Sequence, residues 1–238
     1  VHNWLLTTEQ KRTETYRGLT VHADPGLHAQ MMTLVQKHVP AGSRVLDVGA
    51  GSGAFCLRLQ DQGYRPEGVD INAEAWRAAG IPFLPLDIER GLVASVGGPF
   101  DAVCCQEVAE HVENPWRLAR ELHAVLRPGG VALISTPNVG SFLSRVSFLR
   151  HGRFHQFSEA DLAYGHVRPI TDLEMRTLLA KAGFVLREVV PGGDLPVFDV
   201  SCWRPRSWVS NLLRGLAYVV ARGEKRGWVL IFVAQKPA

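Results

Sequence analysis

Short apolar runs alternate along this chain with segments of helical periodicity. SRVLDVG (43–49), RPEGVDIN (65–72), IPFLPLDIE (81–89), FDAVCCQEV (100–108), VALISTPN (131–138), FVLREVV (184–190) and WVLIFVAQK (228–236) read as strands. Pro82 and Pro85 weaken the third of these, because proline cannot donate to a sheet ladder. AFCLRLQDQG (54–63), AEAWRAAG (73–80), PWRLARELHAVLRPGG (115–130) and LEMRTLLAKAGF (173–184) space their apolar residues as helices do, and glycine closes each of them. LHAQMMTLVQKHV (27–39) is a further helix, stopped at Pro40.

Strand and helix alternating at this pitch predict an α/β fold: a doubly wound, mostly parallel seven-stranded sheet with helices on both faces. The chain reads as a single domain, 1–238. Residues 1–40 form a helical cover, and 41–190 with 227–238 form the core. Residues 139–170 and 191–226 break the alternation. They are insertions after the fifth and sixth strands, expected to form a lid beyond the carboxyl ends, where such sheets bind ligands.

The chemistry concentrates in VLDVGAGSGAF, where a buried strand runs through Asp47 into Gly49, Ala50, Gly51 and Gly53 and then into a helix. A turn stripped of side chains lets a ligand approach the backbone. Gly49-x-Gly51-x-x-Ala54 also satisfies the dinucleotide fingerprint, so the turn alone leaves a nicotinamide or flavin nucleotide open. Other acids shift the balance. Asp47 is placed to reach an ammonium group. Asp70 ends the second strand, in reach of ribose hydroxyls. Asp87, in LDI (86–88), is in reach of an adenine amine, and QEVAEHV (106–112) follows the fourth strand at the same edge. A ligand with an amino acid at one end, a ribose in the middle and adenine at the other satisfies all of them.

On DVGAGSG (47–53), VDIN (69–72), LDIE (86–89) and LRPGG (126–130), the chain resembles the class I S-adenosylmethionine-dependent methyltransferases. EVAEHVENP (107–115) and GHVRPIT followed by LLAKAGF (165–184) resemble the subgroup of ubiquinone-pathway O-methyltransferases and their small-molecule and sugar relatives. The resemblance implies that Asp47 and the backbone from Gly49 to Gly53 hold the methionine part. Asp70 would take the ribose and Ile71 the adenine face. Asp87 and the Ile88 amide would read the adenine edge, and Gln106 and Glu107 would lie beside the sulfonium.

A hydroxyl nucleophile needs a base, and His111 follows the fourth strand at the mouth of the crevice, which makes it the candidate. A structural role in its loop is the alternative. Glu107, Glu110 and His111 also have E-x-x-E-H spacing, with His166 in the insertion, and some methyltransferases with this pattern bind a divalent metal. Such a metal is the second reading here, not the first. Arg168 is expected to pair with Glu107 or Glu110, since an unpaired buried charge is costly. Thr171 or Asp172 is expected to cap the helix that follows.

Composition narrows the classes of function. Lys plus Arg is 26 against 23 for Asp plus Glu, a formal net charge of +3, too small an excess to suggest nucleic-acid binding. Cys56, Cys104, Cys105 and Cys202 show no C-x-x-C spacing, and Cys104 and Cys105 point to opposite faces of a strand. With no signal-peptide pattern at the start, the expected setting is cytoplasmic. Both insertions interleave aromatic and apolar residues with arginine. That suits a lid, with peripheral contact to an anionic membrane as the alternative. Tyr16 and His22 precede the core as candidates for a substrate cover. The expected acceptor is a small molecule, sugar or lipid precursor, methylated on a hydroxyl. The competing functions are a nucleotide-dependent oxidoreductase and a binding module without turnover.

Overall fold

The computed structural model describes residues 14–193 and 227–238. Residues 1–13 and 194–226, with Cys202 and nearly all of the second insertion, lie outside them. The described chain opens on a hairpin of β1 (Thr15–Tyr16) and β2 (Leu19–Thr20), followed by α1 (Leu27–His38). The core runs β3 (Arg44–Val48), α2 (Ala54–Asp61), β4 (Arg65–Asp70), β5 (Phe83–Pro85), β6 (Phe100–Gln106), α3 (Pro115–Val125) and β7 (Leu126–Pro137). Then come α4 (Phe142–His151), α5 (Glu159–Ala163), α6 (Asp172–Lys181), β8 (Val185–Gly192) and β9 (Val229–Gln235).

The seven strands lie in the order β5-β4-β3-β6-β7-β9-β8. All pairs are parallel except those made by β9, which runs antiparallel to β7 and β8. This is the predicted mostly parallel, doubly wound sheet. The chain reverses its winding between β3 and β6, and that switch point opens a crevice at their carboxyl ends. Alternation along the strands splits the core. Leu46, Val48, Val103 and Cys105 face α3 and α6, while Val45, Ala102 and Cys104 face α1 and α2. Both neighbouring cysteines are therefore fully buried, on opposite sides of one strand, as predicted. Large side chains close each face: Leu122, Met175 and Phe232 on one, Met31, Phe55 and Leu59 on the other. Each contributes about 1.5–3 kcal/mol by leaving water.

Four local expectations need correction. Residues 14–20 of the cover are a hairpin rather than helix, because Gly18 turns back with φ 82° and Val21 N donates to Glu14 O. The helix expected over 73–80 is a single 3-10 turn, Ala73–Ala75. It stops because Trp76 goes extended to stack on Phe83 with ring centroids 4.4 Å apart. The third strand shrinks to three residues, Phe83–Pro85, with Pro82 before it and Pro85 at its end. The helix from Pro115 ends at Val125 rather than at the glycines of LRPGG. Those residues join β7, where Lys236 N donates to Gly130 O at 2.9 Å.

Gly53 shows how tightly the crevice is packed from beneath. It sits at φ 83°, and a Cβ there would lie 2.5 Å from Ala78 Cβ and 2.8 Å from the Trp76 ring. Gly53→Ala therefore carries both backbone strain and overpacking. It is expected to destabilise the protein by about 2–4 kcal/mol, read as a lower urea midpoint at unchanged slope.

Candidate functional site

The β3–α2 turn is fixed by its neighbours. Gly49 N and Ala50 N both donate to Val69 O, at 2.9 and 3.0 Å, and Gly51 N donates to Asp70 Oδ2 at 2.8 Å. Gly53 N returns to Ala50 O. These N–H groups are spent within the protein, whereas a pyrophosphate site needs them aimed outward. Gly49, at φ 77°, presses against the segment after β6, so that a Cβ on it would lie 2.3 Å from Val108 Cγ2. From the open side, Ser52 Oγ donates to Thr20 O at 2.6 Å, and the His22 ring lies over Gly51.

Between the turn and the segment from β2 to α1 is a narrow cleft lined among others by Asp47, Gly49, Ala50, Gln106, His22 and His28. Asp47 is 2% exposed and accepts from the Cys56 thiol at 3.4 Å. Burial, with a further push from Asp70, raises its pKa to about 7, against hydrogen bonds from Cys56 and Gln106. Gln106 Oε1 is buried without a partner. So is His28 Nδ1, and burial, reinforced by Arg58 and His22, drives that imidazole down to about 3. One small cavity thus offers an acid and an orphaned carbonyl oxygen on the sheet side and an orphaned imidazole nitrogen on the helix side. That arrangement suits a zwitterionic amino acid.

The other sequence-predicted positions run along the same sheet edge, outside the cleft. Asp70 accepts from Gly51 N and, through Oδ1, from Asn72 N at 2.7 Å, which leaves each oxygen a second lone pair. Ile71 stands 72% exposed beside it. Asp87 caps the 3-10 turn Ile88–Arg90, accepting from Glu89 N at 3.0 Å, and pairs with Arg90 at 3.3 Å. Glu107 holds φ 53°, a left-handed conformation rare outside glycine. Its backbone N–H donates to Ser135 O and Ser135 Oγ, and its carboxylate accepts from that hydroxyl at 3.1 Å.

A second cluster adjoins these residues. Glu110, His111 and His166 each offer a ligand atom within 4.8 Å of the others. Glu107 is not among them, so the expected four-residue set reduces to three. Glu110 is wholly buried; Thr136 Oγ1 donates to Oε2 at 3.2 Å and Oε1 has no partner. Burial raises Glu110 to about 8, with a smaller push from Asp24. His111 is held below the usual histidine range by partial burial and by His166, whose ring stands edge-on at 4.7 Å, while a hydrogen bond with the Gly165 backbone opposes the shift. Arg168 pairs with Glu174 at 2.8 Å rather than with Glu107 or Glu110, because the loop turns its side chain toward α6 while its N–H donates to Glu110 O. Thr171 is the cap of α6, as expected.

His28, Asp24, Ser135 and Thr136 were not legible as site residues. Asp24 lies in a turn, His28 in an amphipathic helix and Ser135 and Thr136 in a strand, and only folding carries them to the crevice. Tyr16, a candidate cover residue, instead donates to Asp61 at 2.6 Å on α2, beneath Arg58.

The fold is a doubly wound α/β sheet with a polar cleft at its switch point. The chain belongs to the methyltransferase-domain family, whose pattern it matches over residues 24–189. It is 35% identical over 107 residues to a ubiquinone biosynthesis O-methyltransferase of Xanthomonas axonopodis pv. citri, covering 42% of this chain and 45% of that protein. A protein of the same name from Xylella fastidiosa is 33% identical over 47% of this chain and 49% of its own length. The match thus spans less than half of each of these relatives. An uncharacterized methyltransferase of Mycobacterium sp. (strain KMS) is 28% identical over 91% of this chain and 88% of its own. Among solved structures, a SAM-dependent methyltransferase from Archaeoglobus fulgidus superposes with a TM-score of 0.59 at 18% identity, over 88% of this chain and 94% of that one. The expected class I methyltransferase fold is borne out. Among the described residues no helix is long and apolar enough to cross a membrane.

Asp47 gives the site a measurable pH signature. An unfolded aspartate ionises at 3.8, while folded Asp47 keeps its proton to about 7. Between those values the folded state binds the extra proton, so stability falls as pH rises through the window. Asp47→Asn is expected to stabilise the ligand-free protein at pH 8 by roughly 2–4 kcal/mol, the advantage shrinking toward zero as pH falls to about 4, in urea unfolding followed across pH.

Proposed function

We propose that this chain transfers a methyl group from S-adenosylmethionine to a hydroxyl oxygen of a small molecule, sugar or lipid precursor. The observation that carries the reading is the cleft in which Asp47 and Gln106 Oε1 face His28, one strand from the imidazole cluster. Asp47 and Gln106 take the ammonium and His28 the carboxylate. Asp70 accepts from the ribose hydroxyls, Ile71 lies against the adenine, and Asp87 with the Ile88 amide reads its edge. Glu107, pinned by Ser135, stands beside the sulfonium. When bound, the sulfonium supplies an activated methyl group with a neutral thioether as leaving group, so the protein's work is alignment and water exclusion. The backbone carbonyl of Gly165 engages one nitrogen of His111, and the low pKa keeps the imidazole neutral near pH 7. Its remaining lone pair can then accept the acceptor's proton as the new bond forms.

A divalent cation is a second reading, favoured by the clustering of Glu110, His111 and His166 and by the unpartnered Glu110 Oε1. These residues would hold the ion, which would lower the pKa of an acceptor hydroxyl. The family match displaces the oxidoreductase alternative.

In calorimetry the protein is expected to bind S-adenosylhomocysteine and to give no heat with NAD. Asp70→Ala is expected to weaken the first by about 10-fold or more, the loss of a charge-assisted hydrogen bond. His111→Ala is expected to keep that affinity and lose about 10²-fold or more of methyl transfer to a panel of phenols, sugars and hydroxylated lipid precursors. Full turnover in His111→Ala would remove it from the chemistry. Heat with NAD alone would overturn the cofactor assignment.

A further inference from the structure

Two pieces of chain close on the crevice from opposite sides. The first is the strap from Leu19 to Gly26, which crosses the glycine turn. It is stapled to α2 through Glu14, which accepts from Gly26 N at 2.9 Å and pairs with Arg58 at 3.3 Å. The Ser52–Thr20 bond and the His22 ring hold it over the cofactor cleft. The second is the arm from Arg153 to His166, which carries His166 to the acceptor side. Ser147 Oγ donates to Arg153 O at 2.8 Å, His155 N donates to Ser144 Oγ at 3.1 Å, and the His155 ring lies 4.2 Å from that of Trp228.

Strap and arm meet at Gln156. Its amide Nε2 donates to Asp24 Oδ2, on the strap, at 3.0 Å. Its backbone oxygen accepts from His166 Nδ1 at 2.9 Å. A carbonyl cannot donate, so His166 carries a proton on Nδ1, and Nε2 is the ring nitrogen left for the cluster with His111 and Glu110. Asp24 is 7% exposed, and its carbonyl accepts from Leu27 N at the entry to α1, the helix that bears His28. Gln156 itself sits at φ 65°. A non-glycine residue stays in that region only where its surroundings over-determine it, and such positions gather at switches and clamps. Here the side chain is bonded to one cover and the carbonyl to the other.

We propose that Gln156 is a positioning residue that couples the two halves of the site. A cofactor in the cleft fixes the strap, and the strap fixes Asp24. Through Gln156, Asp24 then holds the arm and His166 in the place and tautomer the acceptor side uses. The cofactor would accordingly bind before the acceptor. This rests on the cleft being the S-adenosylmethionine site, and the coupling itself is the new element.

The test is hydrogen exchange by mass spectrometry on the full chain, with and without S-adenosylhomocysteine. Four proteins are compared: wild type, Gln156→Asn, Asp24→Ala and Asp24→Asn. Asparagine at 156 tolerates the left-handed backbone but is one methylene too short to reach Asp24. Asparagine at 24 keeps a carbonyl oxygen to which Gln156 can donate. In wild type the ligand is expected to slow exchange at 19–28 and also at 153–166, the latter by about fivefold, the factor a single hydrogen bond supplies. In Gln156→Asn and Asp24→Ala the slowing at 19–28 persists and that at 153–166 is lost, and Asp24→Asn restores it. A merely structural Gln156 would change exchange of the arm equally with and without ligand, leaving the ligand-induced increment intact; that result overturns the proposal. So does a wild-type response confined to 19–28. No response at 19–28 in wild type overturns the cofactor reading and the coupling with it. If Asp24→Ala does not fold, Gln156→Asn against wild type decides the matter alone.

Discussion

The site depends on a turn held down by the strand beside it. Val69 O accepts two N–H groups of the glycine turn and the Asp70 carboxylate accepts a third. This places a backbone free of side chains against Val108 on one side and the strap on the other. It also consumes the donors that a phosphate-binding version of the same motif would present. A glycine-rich turn between strand and helix is ambiguous as a sequence pattern; the direction in which its N–H groups point is not. What remains open beside the turn is a cavity whose polar walls come from side chains.

Those walls are costly to keep without a ligand. Asp47 and Glu110 are carboxyls so deeply buried that each holds its proton to about neutral pH. His28, Gln106 and Glu110 each carry a buried atom with no partner. Interiors normally satisfy such groups, and the proposed ligand would supply the missing contacts at His28 and Gln106. Glu107 and Gln156 also hold left-handed backbone conformations near the crevice.

The fold was largely legible because short apolar runs and glycine-closed helical segments alternate at a regular pitch. The seven strands of the main sheet and the cap of α6, narrowed to Thr171 or Asp172, follow from such signals; the antiparallel β9 between β7 and β8 does not. Misreadings fell where tertiary contact overrode local preference. Trp76 left its helix to stack on Phe83, and LRPGG entered the sheet through Lys236. The motif acids were visible because each sits at a strand tip. His28 and Gln156 were not, since a histidine in an amphipathic helix and a glutamine in a loop carry no pattern of their own. Arg168 shows the same limit: its pairing depends on which way the loop turns, and the side chain goes to Glu174 on α6 rather than to Glu110.

A crystal structure of the protein with S-adenosylhomocysteine measures the central claim directly. The account places the ligand's ammonium in hydrogen-bond contact with Asp47 and Gln106 Oε1, its carboxylate on His28 and its ribose on Asp70. A ligand bound elsewhere, with Gln106 and His28 still unpartnered and the strap unmoved, would contradict it.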